Sequence, residues 1–123
     1  MSKRLALLIT AASPEATYAP WMMAATAAAM GFECRLFYAF SGLDLLREVP
    51  QVRGEFHAQP GSMPEPSVLR GMCIDQGVTL VACSASLSAL GLSPSDLMPG
   101  IQIEGMASWL AFAAGAEVQL NFG

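Results

Sequence analysis

The chain has 123 residues, enough for one domain, and with 54% hydrophobic and only 13% charged residues it can fill a core, which excludes disorder as a description of the whole. Its formal net charge is −4, and its six Lys and Arg are scattered without interleaved aromatics, which excludes a nucleic-acid surface. So few charges on so small a body also imply that other copies of the chain cover part of the apolar surface.

The opening MSKRLALLITAASPEA has a basic start and an apolar run, the outline of a signal peptide. A first buried strand over residues 5–10, with Lys3 and Arg4 at its solvated entry, fits the alternation downstream better and is the expected form. Ser13-Pro14-Glu15 then has the order of a helix start: a hydroxyl N-cap, a proline at the first helical position and an acid in the first turn. The helix is expected to run to Met30. Its sequence ATYAPWMMAATAAAM is apolar nearly all round, which predicts burial on more than one side, with Pro20 bending its first turns. The run contains a proline, is rich in alanine and is too short to span a bilayer, so no membrane is expected as partner.

Gly31 ends this helix and CRLFYAF, residues 34–40, reads as a second strand. Ser41-Gly42 turns the chain into a short helical piece, LDLLREV. Residues 49–66 carry Pro50, Pro60, Pro64, Pro66 and the only histidine, His57, so a long loop is expected there. Loops of that length are often functional lids, whereas His57 itself reads as a solvated loop residue. A helix over 67–76 follows, with Leu69, Met72 and Cys73 as its apolar stripe. Then VTLVACSASLSALGLSP begins with a β-branched run, a third strand, and places Cys83 where that strand meets small hydroxyl residues that can open a helix. IQI at 101–103, a helix over 105–114 and EVQLNF at 117–122 complete the chain.

Strands alternating with helices predict an α/β single-domain sandwich, a mostly parallel five-stranded sheet with helices on both faces. In that architecture reactive groups gather beyond the carboxyl ends of the strands, and Cys83 stands at one. Dinucleotide and P-loop signatures are absent from the sequence, so no cofactor is expected. Neither metal-ligand spacing nor a hydrolase elbow occurs, and no metal site is expected.

Three cysteines, with no framework spacing, point to a reducing compartment and hence the cytoplasm. Cys34 begins its strand and Cys83 ends its own, roughly 17–20 Å apart, so they cannot pair as a disulfide. Cys34 and Cys73 read as packing residues. Two readings of Cys83 stay open on the residues alone. It is either a small buried hydrophobe, or a thiolate stabilised by the amides of Ser84, Ala85 and Ser86 at a helix N-terminus, with small neighbours leaving the sulfur accessible.

Several segments, in order, resemble the DsrE/DsrF-like proteins of the sulfur relay, including TusD-type subunits. These are FYAFSGLDLL, MCIDQGVTLVACSASLSALGL and IEGMASWLAFAAGAEVQLNF. The proline-rich residues 49–66 fall outside the family's common core. The resemblance implies a small α/β fold assembled into a homo-oligomer, a trimer or hexamer. It also implies a sulfur carrier or sulfurtransferase-like protein in which Cys83 accepts sulfur as a persulfide from a TusA-like or rhodanese-like donor. Phe40, Gly42 and Gly105, in the matching segments, would line the substrate site together with Ser84, Ala85 and Ser86. Because some members of the family lack the cysteine, the alternative is a non-catalytic oligomeric module that binds a partner protein or small ligand in the same crevice.

Overall fold

A computed structural model of the chain describes residues 2–123. Among the described residues the elements run β1 (Arg4–Ile9), α1 (Pro14–Ala29), β2 (Glu33–Tyr38), α2 (Pro66–Asp75), β3 (Thr79–Cys83), α3 (Ser84–Ala89), β4 (Gln102–Glu104), α4 (Met106–Ala113) and β5 (Val118–Phe122). Short 3-10 segments, Phe40–Leu46 and Pro94–Asp96, interrupt two of the connections. The five strands form one sheet in the order β4-β3-β2-β1-β5, and every neighbouring pair is parallel. The expected α/β sandwich is therefore the observed one. The apolar run near the start is β1, an interior strand between β2 and β5.

Local chemistry explains where the elements begin and end. The Ser13 hydroxyl accepts the Ala16 N–H at 3.1 Å, and Pro14 occupies the first helical position of α1. At the other end Gly31 adopts φ +89, a left-handed turn, so that the Phe32 N–H reaches back to the Ala27 carbonyl at 2.9 Å. The N–H groups of Val78 and Leu92 close α2 and α3 in the same way.

Side chains alternate across each strand, and the sheet thereby separates two clusters. Leu5, Leu7 and Ile9 of β1, Leu36 and Tyr38 of β2, and Leu80 and Ala82 of β3 face α1, α2 and α3. Ala6, Phe37, Val81 and Cys83 face the other way, against Trp109 and Phe112 of α4. The handedness of the crossovers dictates this division. Steps from β1 to β2, β3 and β4 all move in one direction and place their helices on one face, whereas the return from β4 to β5 crosses the whole sheet and places α4 on the opposite face.

Two expectations change. The long helix is not buried on more than one side: Trp21, Ala24 and Ala27 are buried, but Met22 and Met30 are 49% and 69% exposed. Among the described residues only the long loop reaches its outer side, where Phe56 meets Tyr18, and Met22 and Met30 stay in large part exposed. On α2, Met72 is exposed and Arg70 takes its place in the interior. The Arg70 guanidinium can be buried because it donates to the carbonyls of Leu45, Arg47 and Glu48 at 2.6–2.8 Å.

Those bonds fasten the root of the long loop. Asp44 holds it from the other side, accepting from Arg47 at 3.1 Å and from Arg53 at 2.8 Å, while the Arg53 N–H donates to the Ala12 carbonyl. Farther along, Phe56 leans on Tyr18 of α1 with ring centroids 6.0 Å apart. His57, as expected, is solvated.

Candidate functional site

The crevice that matters in an open parallel sheet lies between adjacent strands whose following helices leave to opposite faces. Here those strands are β3, which leads into α3, and β4, which leads into α4. Cys83 is the last residue of β3 and Glu104 the last of β4, and the two are register partners. The position of Cys83 is thus set by topology as well as by its strand.

Cys83 is also the N-cap residue of α3, and its side chain makes no capping bond. Beyond it Ser84 and Ala85 are exposed and Ser86 is buried. Gly105, the N-cap of α4, runs beside this turn, because a Cβ placed on it would lie 3.9 Å from the Ser84 hydroxyl. On the other flank Tyr38 pairs with Ala82, which brings Ala39 beside Cys83. Cys83, Ser84, Ser86 and Gly105 therefore come together, with the end of β2 next to them.

Phe40 is the single described non-glycine residue with positive φ, at +52, and the residue is 58% exposed. Holding a bulky residue there costs of the order of 1–3 kcal/mol. The hydrogen bonds of Ala39 N–H to the Ile9 carbonyl and of Gly42 N–H to the Ala39 carbonyl, both 2.9 Å, enforce it. Gly42 has a different place. It is buried against the Ile9 carbonyl so closely that any Cβ would collide with that oxygen, so it brings the connection onto β1 and offers no surface of its own.

The expectation of an accessible sulfur is not met. Cys83 is 1% exposed, because its side chain points to the α4 face, where Phe37, Trp109 and Phe112 belong to the same cluster. Phe37 and Trp109 stack with centroids 5.8 Å apart. Small residues after Cys83 do not open a path when the cover comes from a helix more than twenty positions later.

The other thiols are structural in their surroundings. Cys73 donates to the Trp21 carbonyl at 3.2 Å, and burial, reinforced by the nearby Cys34 and opposed by a backbone hydrogen bond at Ala25, pushes its pKa up to about 11. Burial, with a smaller contribution from Glu33, also raises that of Cys34. All three cysteines are free. Among the described residues no group of three His, Cys, Asp or Glu side chains could hold a metal ion, and no helix is long and apolar enough to cross a membrane.

Two charged residues at this site were not anticipated from the sequence. Arg35 and Glu104 form an ion pair at 3.3 Å, and the Arg35 guanidinium carbon stands 5.0 Å from the centre of the Phe112 ring. Alternation along IQIE could have placed Glu104 on the same side as Cys83. Nothing local could have found Arg35. An apolar groove of about 400 Å³, lined by Met22, Met23, Met30, Phe32 and Val118 among others, lies toward the amino ends of the strands, away from Cys83.

The model of the DsrE/DsrF-like family matches residues 3–122. Over 64 residues the chain is 41% identical to the sulfur carrier protein DsrE2 of Allochromatium vinosum, a match that covers 52% of this chain and 40% of that protein. It is 25% identical to YrkE of Bacillus subtilis over 97% of this chain and 96% of that one. Among solved structures, the YchN protein of E. coli superposes with a TM-score of 0.74 at 18% identity, covering 99% of this chain and 100% of that chain. MTH1491 of Methanobacterium thermoautotrophicum gives 0.68 at 16% identity, over 98% and 99% of the two chains. At these identities the solved structures speak for the fold alone.

Proposed function

Since the chain belongs to the DsrE/DsrF-like family, we propose that it is a sulfur carrier, sulfurtransferase-like in its chemistry, that accepts sulfur as a persulfide on Cys83. The observation that carries this reading is the placement of Cys83 alone, of the three thiols, at the carboxyl-end crevice between β3 and β4. The naming of the Allochromatium relative as a sulfur carrier supports it. In the transfer, the Cys83 thiol loses its proton and the thiolate attacks the outer sulfur of a donor persulfide. The donor's S–S bond breaks, the donor leaves as a thiolate, and the proton released by Cys83 restores it to a thiol. Sulfur moves with no net oxidation. The donor is a TusA-like or rhodanese-like protein, and the compartment is the cytoplasm, where thiols stay reduced.

The same reading includes a homo-oligomer, a trimer or hexamer, in which exposed Met22 and Met30 are covered by a second copy. Sulfur transfer to a thiol this buried also requires the α4 side to yield. The rival, a non-catalytic oligomeric module, draws on that burial, since 1% exposure also suits a packing cysteine.

Intact mass after incubation with a persulfide donor separates them. The carrier gains about 32 Da per transferred sulfur, a gain that Cys83→Ser abolishes and that Cys34→Ser and Cys73→Ser retain. No gain with any donor, or a gain that survives Cys83→Ser, defeats the carrier.

A further inference from the structure

Register, rather than sequence distance, brings a carboxylate to the candidate sulfur. Cys83 and Glu104 are paired residues on adjacent parallel strands, so their Cα atoms are about 5 Å apart and their side chains leave the sheet on the same face. A carboxylate there opposes any anion formed at the sulfur. Glu104 does not stand alone, however. Arg35, from β2 on the same face, meets it at 3.3 Å, and both side chains are more than two-thirds buried, at 29% and 23% exposure. The Phe112 ring lies 5.0 Å from the guanidinium and limits where it can go.

We propose that Arg35 and Glu104 are positioning residues for sulfur transfer, a fixed charge pair in which Arg35 cancels the carboxylate beside Cys83 so that an anionic sulfur can form there. The inference rests on the carrier reading for its purpose but not for its electrostatics. Other elements packed around Cys83 supply no competing charge: α3 (SASLSA) and α4 (MASWLAFA) contain no ionisable side chain. In the 3-10 segment, Asp44 is already paired with Arg47 and Arg53. Arg4 of β1 shares the Phe112 ring at 4.8 Å and is paired with Glu33.

A purely structural tie between β2 and β4 would be lost equally whichever partner is removed. A charge pair acts with opposite signs. The readout is the pH midpoint of thiolate ultraviolet absorbance, taken as the difference between each protein and its Cys83→Ser counterpart, which requires no reagent to reach the buried sulfur. Arg35→Met leaves the carboxylate uncancelled and moves the midpoint up, while Glu104→Gln moves it down. The double variant Arg35→Met/Glu104→Gln returns close to the parent, and Arg35→Lys, which keeps the charge, stays there. Single variants that match the parent, or that both move the same way, overturn the proposal. Opposite shifts in a protein whose Cys83 never gains sulfur leave the charge pair standing and sink the carrier reading alone.

Discussion

Three helices close one face of the sheet and a single helix closes the other, and the two faces differ in kind. On the α1 side, Trp21, Tyr38, Leu7 and Leu36 are completely buried, and the thiols of Cys34 and Cys73 are sealed among them. On the α4 side the buried cluster is smaller, and Met106 and Leu110 of the covering helix remain exposed. The candidate sulfur belongs to the second, thinner side. Local opening is cheapest where few apolar groups must be uncovered, so a face that carries transient chemistry belongs where packing is sparse. On the proposed carrier reading, stability and sulfur chemistry are thus divided between the two faces of one sheet.

The largest effect should follow from exchanging Trp21 and Trp109, one on each face, for alanine. Trp21→Ala removes a fully buried indole and should cost about 3–5 kcal/mol in denaturant unfolding. Trp109→Ala should cost less, because the α4 side can relax toward solvent, yet it should raise the alkylation rate of Cys83 about tenfold, corresponding to about 1.4 kcal/mol of easier opening. Equal stability losses with no gain in Cys83 labelling would erase the distinction between the faces.

A smaller effect concerns pH. The folded-state pKa of Cys73 is raised from the ordinary 9.0 to about 11, so folding favours its protonated form. That contribution to stability is fully present below about pH 9 and is lost as pH rises toward about 11. In thermal unfolding between pH 8 and 11, the parent should therefore lose more stability than Cys73→Ala, whose curve should be flatter. Parallel curves would mean that the α1-side thiol is not sealed as described.

Helix starts provide the finest comparison. α1 has a hydroxyl cap in Ser13, whereas Gly105 at the start of α4 has no side chain to offer. Ser13→Ala should cost about 1 kcal/mol, and Gly105→Ser should gain a few tenths, a size set by cap preferences. The added Cβ would stand 3.9 Å from the Ser84 hydroxyl, an ordinary contact. A loss of stability in Gly105→Ser would show that the crevice needs glycine there for a reason other than capping.

Much of this architecture could be read from local patterns. Ser13-Pro14-Glu15 marked the start of α1 and Gly31 its end, and the β-branched run before Cys83 marked β3. Each signal acts through hydrogen bonds or side-chain alternation within a few residues, so it survives without knowledge of the fold. The exchange of Arg70 for Met72 was not legible, because an arginine becomes an interior residue only when three carbonyls from the 40s converge on it. Likewise the apolar circumference of α1 read as burial on more than one side, although alanine bears exposure easily and Met22 and Met30 remain in large part exposed.

By itself the sequence determined the alternation of strands and helices, hence a parallel sheet, and it put one thiol at a strand end where such sheets place their chemistry. Only the tertiary structure decided what surrounds that thiol. The handedness of the return to β5 sent α4 alone to the second face, which buried Cys83 beneath it, and the register of β3 with β4 set Glu104 beside the sulfur within reach of Arg35. Those relations join residues dozens of positions apart through strand pairing and crossover geometry, and no local preference of the chain encodes them.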